Sequence, residues 1–469
     1  MPALSPPVTL TAGTVAGAET DGIRRFLGIP YAEPPFGERR FAAPAPVRPW
    51  DGVRDATSFG PTAPQSPYQG EAAKLFSSVE IAGDDILTVN VWAPTDAESA
   101  PVVVWVHGGA FERGTAALEG YDGTTFAHDG VVFVSLNYRL GAEGFSVLDG
   151  VPRNLGLLDV AAAIEWVHRE IEAFGGDPER VTLMGESAGG ALVAAALALP
   201  RIGERVQGAI IQSGPLDASS PERAGRVTRA IAKHLGIPVT REAFAAVSPQ
   251  RLVDARLELA RRSSPVPTGG FALSLDADSV PRLPEEALAD VAAPILIGTN
   301  TDEYRLWLSP TALAELGPLK VAGLSLLARI PLGAMRSARA AGFRGAEALG
   351  QALSDKILRA PATRLATARP RRTFVYEFAW QSPVRDLLAA HAVEIAFAFG
   401  RVNGPDAESL SGTDAPQDLA AEMHSAWVSF IRTGDPGWAP FGGSRTTRVF
   451  DAVSQTAPQR RAEVVDAFR

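Results

Sequence analysis

The chain has no cysteine among its 469 residues. That excludes disulfides, thiolate metal sites and cysteine nucleophiles together. It has six histidines, so imidazole chemistry has few possible seats. No apolar run approaches the roughly 20 residues that span a bilayer, so no membrane partner is expected. Charges of one sign are not gathered into long runs and the net charge is −9, which argues against a nucleic-acid surface. The first residues, M-P-A-L-S-P-P-V-T-L-T-A-G, lack the basic start and continuous apolar core of a secretory signal. A cytoplasmic location is therefore the default expectation, and the Ala, Arg, Gly and Pro usage suits a bacterial source. Nothing in the sequence marks an internal repeat, a low-complexity segment or a linker, so residues 1–469 are expected to form a single domain.

What is present is ordinary material for a large core. Hydrophobic residues make up 46% of the chain and charged residues 21%. Val8–Ala12 and Arg24–Ala32 read as short β segments of an N-terminal meander. Ile86–Trp92, Pro101–Val106 and Val131–Tyr138 read as strands. The last two are nearly continuous apolar runs, as in the middle of a sheet covered on both faces. Between 154 and 174, Leu157, Val160, Ile164, Val167, Ile171 and Phe174 recur at helical spacing. Further strands are expected at Val206–Gln212, Ala293–Thr299 and Thr373–Trp380, with helical segments at about 221–290 and 305–368 and a closing helix from Pro416 to Arg432. This alternation predicts an α/β fold with a large, mostly parallel central sheet flanked by helices.

The organising stretch is Arg180–Pro200. Val181–Met184 reads as a buried strand, Gly185–Gly190 breaks it, and Ala191–Leu199 has helix-forming composition. The break is G-x-S-x-G with Ser187 at its centre, the corner that projects a serine hydroxyl clear of a sheet. The bare pattern is weak evidence, since chance alone gives it roughly 0.26 times at this composition. Its strand-to-helix setting strengthens it, against the plainer reading of a glycine-rich connection.

A serine hydroxyl becomes a useful nucleophile only when a base takes its proton. In the chain order serine, acid, histidine, the base is His234, His391 or His424. His234 and His424 lie in helical patterns, whereas His391 follows the strand Thr373–Trp380 and is the best base on position. Asp217, Asp302 and Glu303 all follow strands, and spacing leaves the acid open among the three. Oxyanion donors must be fixed before reaction. H-G-G-A-F at 107 to 111 supplies a loop of the right type, with Gly108 and Gly109 letting the backbone approach the substrate.

These residues resemble the type-B carboxylesterases, a family that includes bacterial p-nitrobenzyl esterases and animal cholinesterases. The similarity runs through F-L-G-I-P-Y-A-E-P-P at 26 to 35, N-V-W-A-P at 90 to 94, N-Y-R-L-G at 137 to 141, F-G-G-D-P at 174 to 178, G-E-S-A-G-G at 185 to 190 and T-G-D-P at 433 to 436. It implies an α/β-hydrolase fold and hydrolysis of small-molecule carboxylic esters through an acyl-enzyme, with no metal or organic cofactor. It implies Glu303 as the acid and His391 as the base beside Ser187. It implies an oxyanion hole at Gly108, Gly109, Ala110 and Ala188, with Glu186 and Ser213 supporting the histidine and the acid.

The departures are specific. Tyr304 and Ala392 replace glycines beside the acid and the base, changes that crowd the site or re-aim the carboxylate. Ala63 and Ile86 stand where the family often has a cysteine pair, which leaves the loop between them unbridged. That loop has no tryptophan, which counts against a cholinesterase-like cation site. Lipase and carbamate or amide hydrolase chemistry with the same triad, and a silent binding protein on the same scaffold, are the competing readings. Monomer and homodimer are equally compatible with the sequence.

Overall fold

The computed structural model describes residues 3–262, 269–308, 312, 313 and 315–468. Parts of the two expected helical regions, 263–268, 309–311 and 314, lie outside those residues. Twelve strands form one sheet: β1 (Ala3–Leu4), β2 (Ala18–Thr20), β3 (Ile23–Pro30), β4 (Thr88–Pro94), β5 (Ala100–Val106), β6 (Val132–Leu136), β7 (Gly176–Glu186), β8 (Gly208–Gln212), β9 (Ile295–Asn300), β10 (Thr373–Phe378), β11 (Thr446–Phe450) and β12 (Gln455–Pro458). Their spatial order is β1-β2-β3-β4-β6-β5-β7-β8-β9-β10-β11-β12. From β6 to β11 neighbouring strands pair in parallel, and the strands beyond them at either end pair antiparallel. Val8–Thr9 leaves this sheet and joins Thr14–Ala16 and Val53–Asp55 in a small sheet of three strands.

Every residue of β5, β6, β8 and β9 is buried, which explains their mainly apolar composition; the exceptions are Ser135, Gln212, Thr299 and Asn300. Alternate side chains serve opposite faces: Val102, Val104 and Val106 of β5 join one core cluster, Val103 and Trp105 the other. On the first face lie α1 (Leu155–Glu170), whose apolar spacing is visible in the sequence, and α2 (Ala188–Leu197). On the second lies α3 (Gln417–Thr433), which brings Met423, Trp427, Phe430 and Ile431 against Trp105, Met184, Ile210 and Leu296. Gly434, at φ 76°, ends α3 by donating its amide to Phe430 O at 2.7 Å, and Pro436 follows where the helix cannot continue.

A third, smaller cluster sits apart from the sheet. It gathers Tyr304, Val321, Ile330, Ala334, Met335, Ala338 and Leu349 from the 3₁₀ turn Glu303–Leu306 and the helices Pro318–Leu327, Leu332–Ala340 and Gly345–Ser354. Among the described residues no helix is long and apolar enough to cross a membrane.

Candidate active site

The corner at Ser187 is a product of crowding. β7 ends at Glu186 and α2 starts at Ala188, leaving Ser187 at φ 54°, ψ −122°. Such a conformation in a residue with a Cβ costs about 1–3 kcal/mol and has to be held by its surroundings. Ser187 N donates to Gln212 O of β8 at 2.9 Å, and Ser187 O accepts from Ala191 N at 2.9 Å. The helix can cross close because Gly189 has no side chain: a Cβ there would lie 2.0 Å from Val106 O.

The H-G-G-A-F turn leaves β5 and lies against this corner. A Cβ on Gly108 would meet Glu186 Oε2 at 2.7 Å and Ser187 Cβ at 3.2 Å. Gly109 adopts φ +114°, and a Cβ there would lie 2.0 Å from Arg113 O, so only glycine fits. Ala110 and Phe111 follow with φ 57° and 62°. Glu112 N and Arg113 N donate to Gly109 O at 3.0 and 3.1 Å, closing the turn. Among the described residues the Gly109 and Ala110 amides donate to no other group of the chain. His107 anchors the base of the turn, its ring stacked on Tyr138 at 4.6 Å. Burial pulls its imidazole down to about 4, which makes it a neutral packing residue.

Opposite the serine, β9 delivers Glu303 and the turn before Ile395–Ala398 delivers His391. His391 Nδ1 donates to Glu303 Oε2 at 2.6 Å. Glu303 Oε1 accepts from Ser213 Oγ at 2.6 Å and from Asn300 N at 2.7 Å. Glu303 and His391 are both buried. The other imidazole nitrogen, Nε2, lies 3.0 Å from Glu186 Oε1, yet outside hydrogen-bond geometry, and neither atom has a hydrogen-bond partner. Nε2 is thus turned toward the Glu186–Ser187 end and left unengaged.

Three carboxylates around one imidazole produce opposed shifts. Burial pushes Glu186 up to about 8. Burial draws His391 down, but Glu186 and Glu303 outweigh it and push the imidazole up to about 9. A protonated Glu186 has no charge to lend, so near neutrality the upward direction of His391 rests on Glu303 and its hydrogen bond.

The alternatives separate cleanly. His234 pairs with Glu258 at 2.5 Å, and His424 bonds Ala398 O at 2.8 Å and Asp129 at 3.0 Å. Asp217 is exposed, and Asp302 is tied through its amide to Ala389 O at 2.8 Å rather than to His391. Tyr304 turns into the third cluster against Gly350, where a Cβ would come 2.4 Å from its ring. Ala392 takes φ 70°, the left-handed conformation that favours glycine. Ala63 and Ile86 are buried and fill their positions with methyl groups. The loop between them is fastened instead by Arg385 on Glu71, Ser77 on Asp406, and Gln65 on Gly114.

Several contributors carry no local signature in the sequence. Glu394 is wholly buried, with Oε2 accepting from Asn300 Nδ2 at 2.6 Å and Oε1 from Gln212 Nε2 at 3.3 Å. The same Asn300 Nδ2 donates to Ala390 O at 2.7 Å, so one amide steadies the chain on both sides of the acid–histidine pair. Burial and then Glu303 push Glu394 up to about 7. Trp307 lies over His391 with ring centroids 4.8 Å apart. Beside His391 a cleft of about 490 Å³ is lined by Leu75, Phe76, Tyr121, Ala392, Ile395 and Leu410. Neither that cleft nor a separate cavity of about 300 Å³, lined by Arg359, Glu377 and Arg460, has Ser187, Glu303 or His391 in its lining.

Comparison with known proteins identifies the family. The sequence profile of the carboxylesterase family matches residues 4–318. The para-nitrobenzyl esterase of Bacillus subtilis is 36% identical over 447 residues, covering 92% of this chain and 90% of its own. The phenmedipham hydrolase of Pseudarthrobacter oxydans is 33% identical over 446 residues, covering 91% of this chain and 90% of its own. Among solved structures, a Geobacillus stearothermophilus carboxylesterase superposes with a TM-score of 0.87 at 34% identity, covering 99% of this chain and 100% of that one. By fold, sequence and site architecture, this chain belongs to the carboxylesterase family, with the α/β-hydrolase fold, and is a carboxylic-ester hydrolase.

Proposed function

We propose that Ser187 attacks the ester carbonyl while His391 Nε2 takes its proton, and that Glu303 orients His391 and stabilises its cation. The observation that carries this is the continuous relay from Ser213 through Glu303 to His391 Nδ1, ending at an unengaged Nε2 beside the strained serine corner. The oxyanion is held by the amides of Gly109, Ala110 and Ala188, with Gly108 keeping the turn close to Ser187. Among the described residues the first two amides are unused, and the third opens a ten-residue helix whose dipole favours negative charge. His391 then gives its proton to the leaving alcohol. Water activated by the same imidazole releases the acid and frees the serine.

Glu186 and Ser213 position these groups, the one beside Nε2 and the other on Glu303. The apolar surroundings of the base, with Trp307 over His391 and a largely apolar cleft next to Ala392, favour small to medium apolar esters. Carbamate cleavage is the second reading, because one relative is a phenmedipham hydrolase. The whole chain acts as one domain, since the acid, base and nucleophile come from strands across a single sheet.

The test is hydrolysis of p-nitrophenyl acetate and butyrate by a folded Ser187→Ala variant. Its kcat is expected to fall by about 10⁴-fold or more. Retention of most of the activity contradicts the assignment. Parallel assays with phenmedipham rank the two substrate classes.

A further inference from the structure

The helix Pro318–Leu327 is turned inside out. Val321 is its one buried residue, and at 100° per residue the side opposite Val321 carries Leu319, Ala322, Gly323 and Leu326. Leu319 is 89% exposed, Leu326 80% and the adjoining Leu327 73%; Leu332, at the start of the next helix, is 75% exposed. A water-facing helix surface normally carries polar residues, and a concentration of exposed leucines marks an interaction site.

Charge says what kind. The chain as a whole is acidic at −9, yet residues 316–346 hold Lys320, Arg329, Arg336, Arg339 and Arg344 with no Asp or Glu. All five are exposed, and among the described residues none of them forms an ion pair. Lys356, from the neighbouring segment, adds a further cation that donates to Ala328 O at 2.6 Å. Exposed leucines on a segment whose charged side chains between Glu315 and Glu347 are all basic have the composition of a surface that lies in a lipid headgroup region.

We propose that this face is a docking surface for an anionic phospholipid bilayer, with the leucines entering the acyl boundary and the basic side chains meeting the headgroups. Charge complementarity selects this occupant over a second copy of the chain. A two-fold contact would bring the same cations from both copies against one another. The expectation of no membrane partner rests on the lack of a spanning run, and surface docking needs none. The position is also suggestive of use. The docking helices pack through the third cluster on Tyr304, next to Glu303, while Trp307 stands half exposed over His391. Delivery of lipid-dissolved esters to the site rests on the assignment of Ser187; the docking itself does not.

The experiment is flotation of the full-length protein with large unilamellar vesicles. These are made of phosphatidylcholine alone or with about one-third phosphatidylglycerol, at about 50 and about 500 mM salt. Binding is expected with the anionic vesicles at low salt, falling at least about tenfold in neutral vesicles or high salt. Each cation reversed, as in Lys320→Glu or Arg336→Glu, is expected to reduce partitioning at least about fivefold. The Leu319→Glu/Leu326→Glu variant, and the milder Leu326→Ser, are expected to weaken binding by about tenfold or more while leaving the melting temperature and the hydrolysis of soluble esters unchanged. No binding to anionic vesicles at low salt overturns the proposal. So does binding indifferent to these leucines, or a dimer in gel filtration that the double variant dissolves.

Discussion

Ser187 is held where a serine does not rest by preference, and the residues around it are arranged for one imidazole to work on it. His391 is the titrating group of that arrangement. Its folded value is raised, so the neutral form that can accept a proton appears only as pH climbs through that value. The acid limb of kcat/KM is therefore expected above the ordinary histidine value of 6.5, and Glu303→Gln is expected to move it to lower pH by removing the carboxylate that holds the proton near neutrality. A limb that stays put in Glu303→Gln contradicts this reading of the acid–histidine pair. Ser187 was legible because it sits in a short motif whose spacing reflects backbone geometry, and His391 because it follows a strand in the chain order that a base requires. Spacing alone left Glu303 among three acids, since Asp302 and Glu303 are neighbours, and only the family resemblance singled it out. Asn300, Glu394 and Trp307 were not legible as site residues at all. Their roles come from contacts made 84 to 182 positions away in sequence, and a buried amide or carboxylate looks like any other until its partner is known.

At the scale of elements, the active site depends on how closely α2 and the H-G-G-A-F turn can approach. Gly189→Ala puts a methyl group 2.0 Å from Val106 O and 2.7 Å from His107 O, both backbone atoms that cannot rotate away. A loss of about 3 kcal/mol in urea unfolding is expected, together with loss of activity as the turn moves off Ser187. Unchanged stability would mean that the helix does not cross as tightly as described. The strands that frame this corner were readable from composition, because β5, β6, β8 and β9 are covered on both faces and are apolar apart from Ser135, Gln212, Thr299 and Asn300. The strands β11 and β12 were not. β11 is T-T-R-V-F, β12 is an exposed Q-T-A-P at the sheet edge, and neither has enough buried side chains to leave a pattern. The N-terminal β segments were visible, but their division between two sheets was decided by pairing with β4 and with Val53–Asp55, partners far along the chain.

Across the whole molecule, charge is used in two ways. Inside, Glu377 of β10 accepts from Arg460 at 2.9 Å and Arg461 at 3.3 Å and lies near Arg359, tying the C-terminal segment to the sheet. Burial alone would raise Glu377, but Arg359 and the hydrogen bond from Arg460 outweigh it and hold the carboxyl down at about 2. A depressed carboxylate contributes stability above its ordinary value, and that contribution drains away as pH falls from 4.5 toward about 2. Glu377→Gln is expected to lower stability at neutral pH by about 3 kcal/mol and to flatten its dependence across that acid window. A variant with the same acid profile as the parent contradicts the role given to this cluster. Outside, the basic and apolar face of residues 316–346 breaks the acidic surface of the rest.

The central claim is that Ser187 is the nucleophile, and the most direct measurement is stoichiometric labelling with a fluorophosphonate followed by peptide mapping in a mass spectrometer. The account predicts one adduct per chain, on the peptide that carries Ser187, absent from Ser187→Ala and slowed in Glu303→Gln. An adduct on any other residue, or labelling that survives in Ser187→Ala, would contradict it.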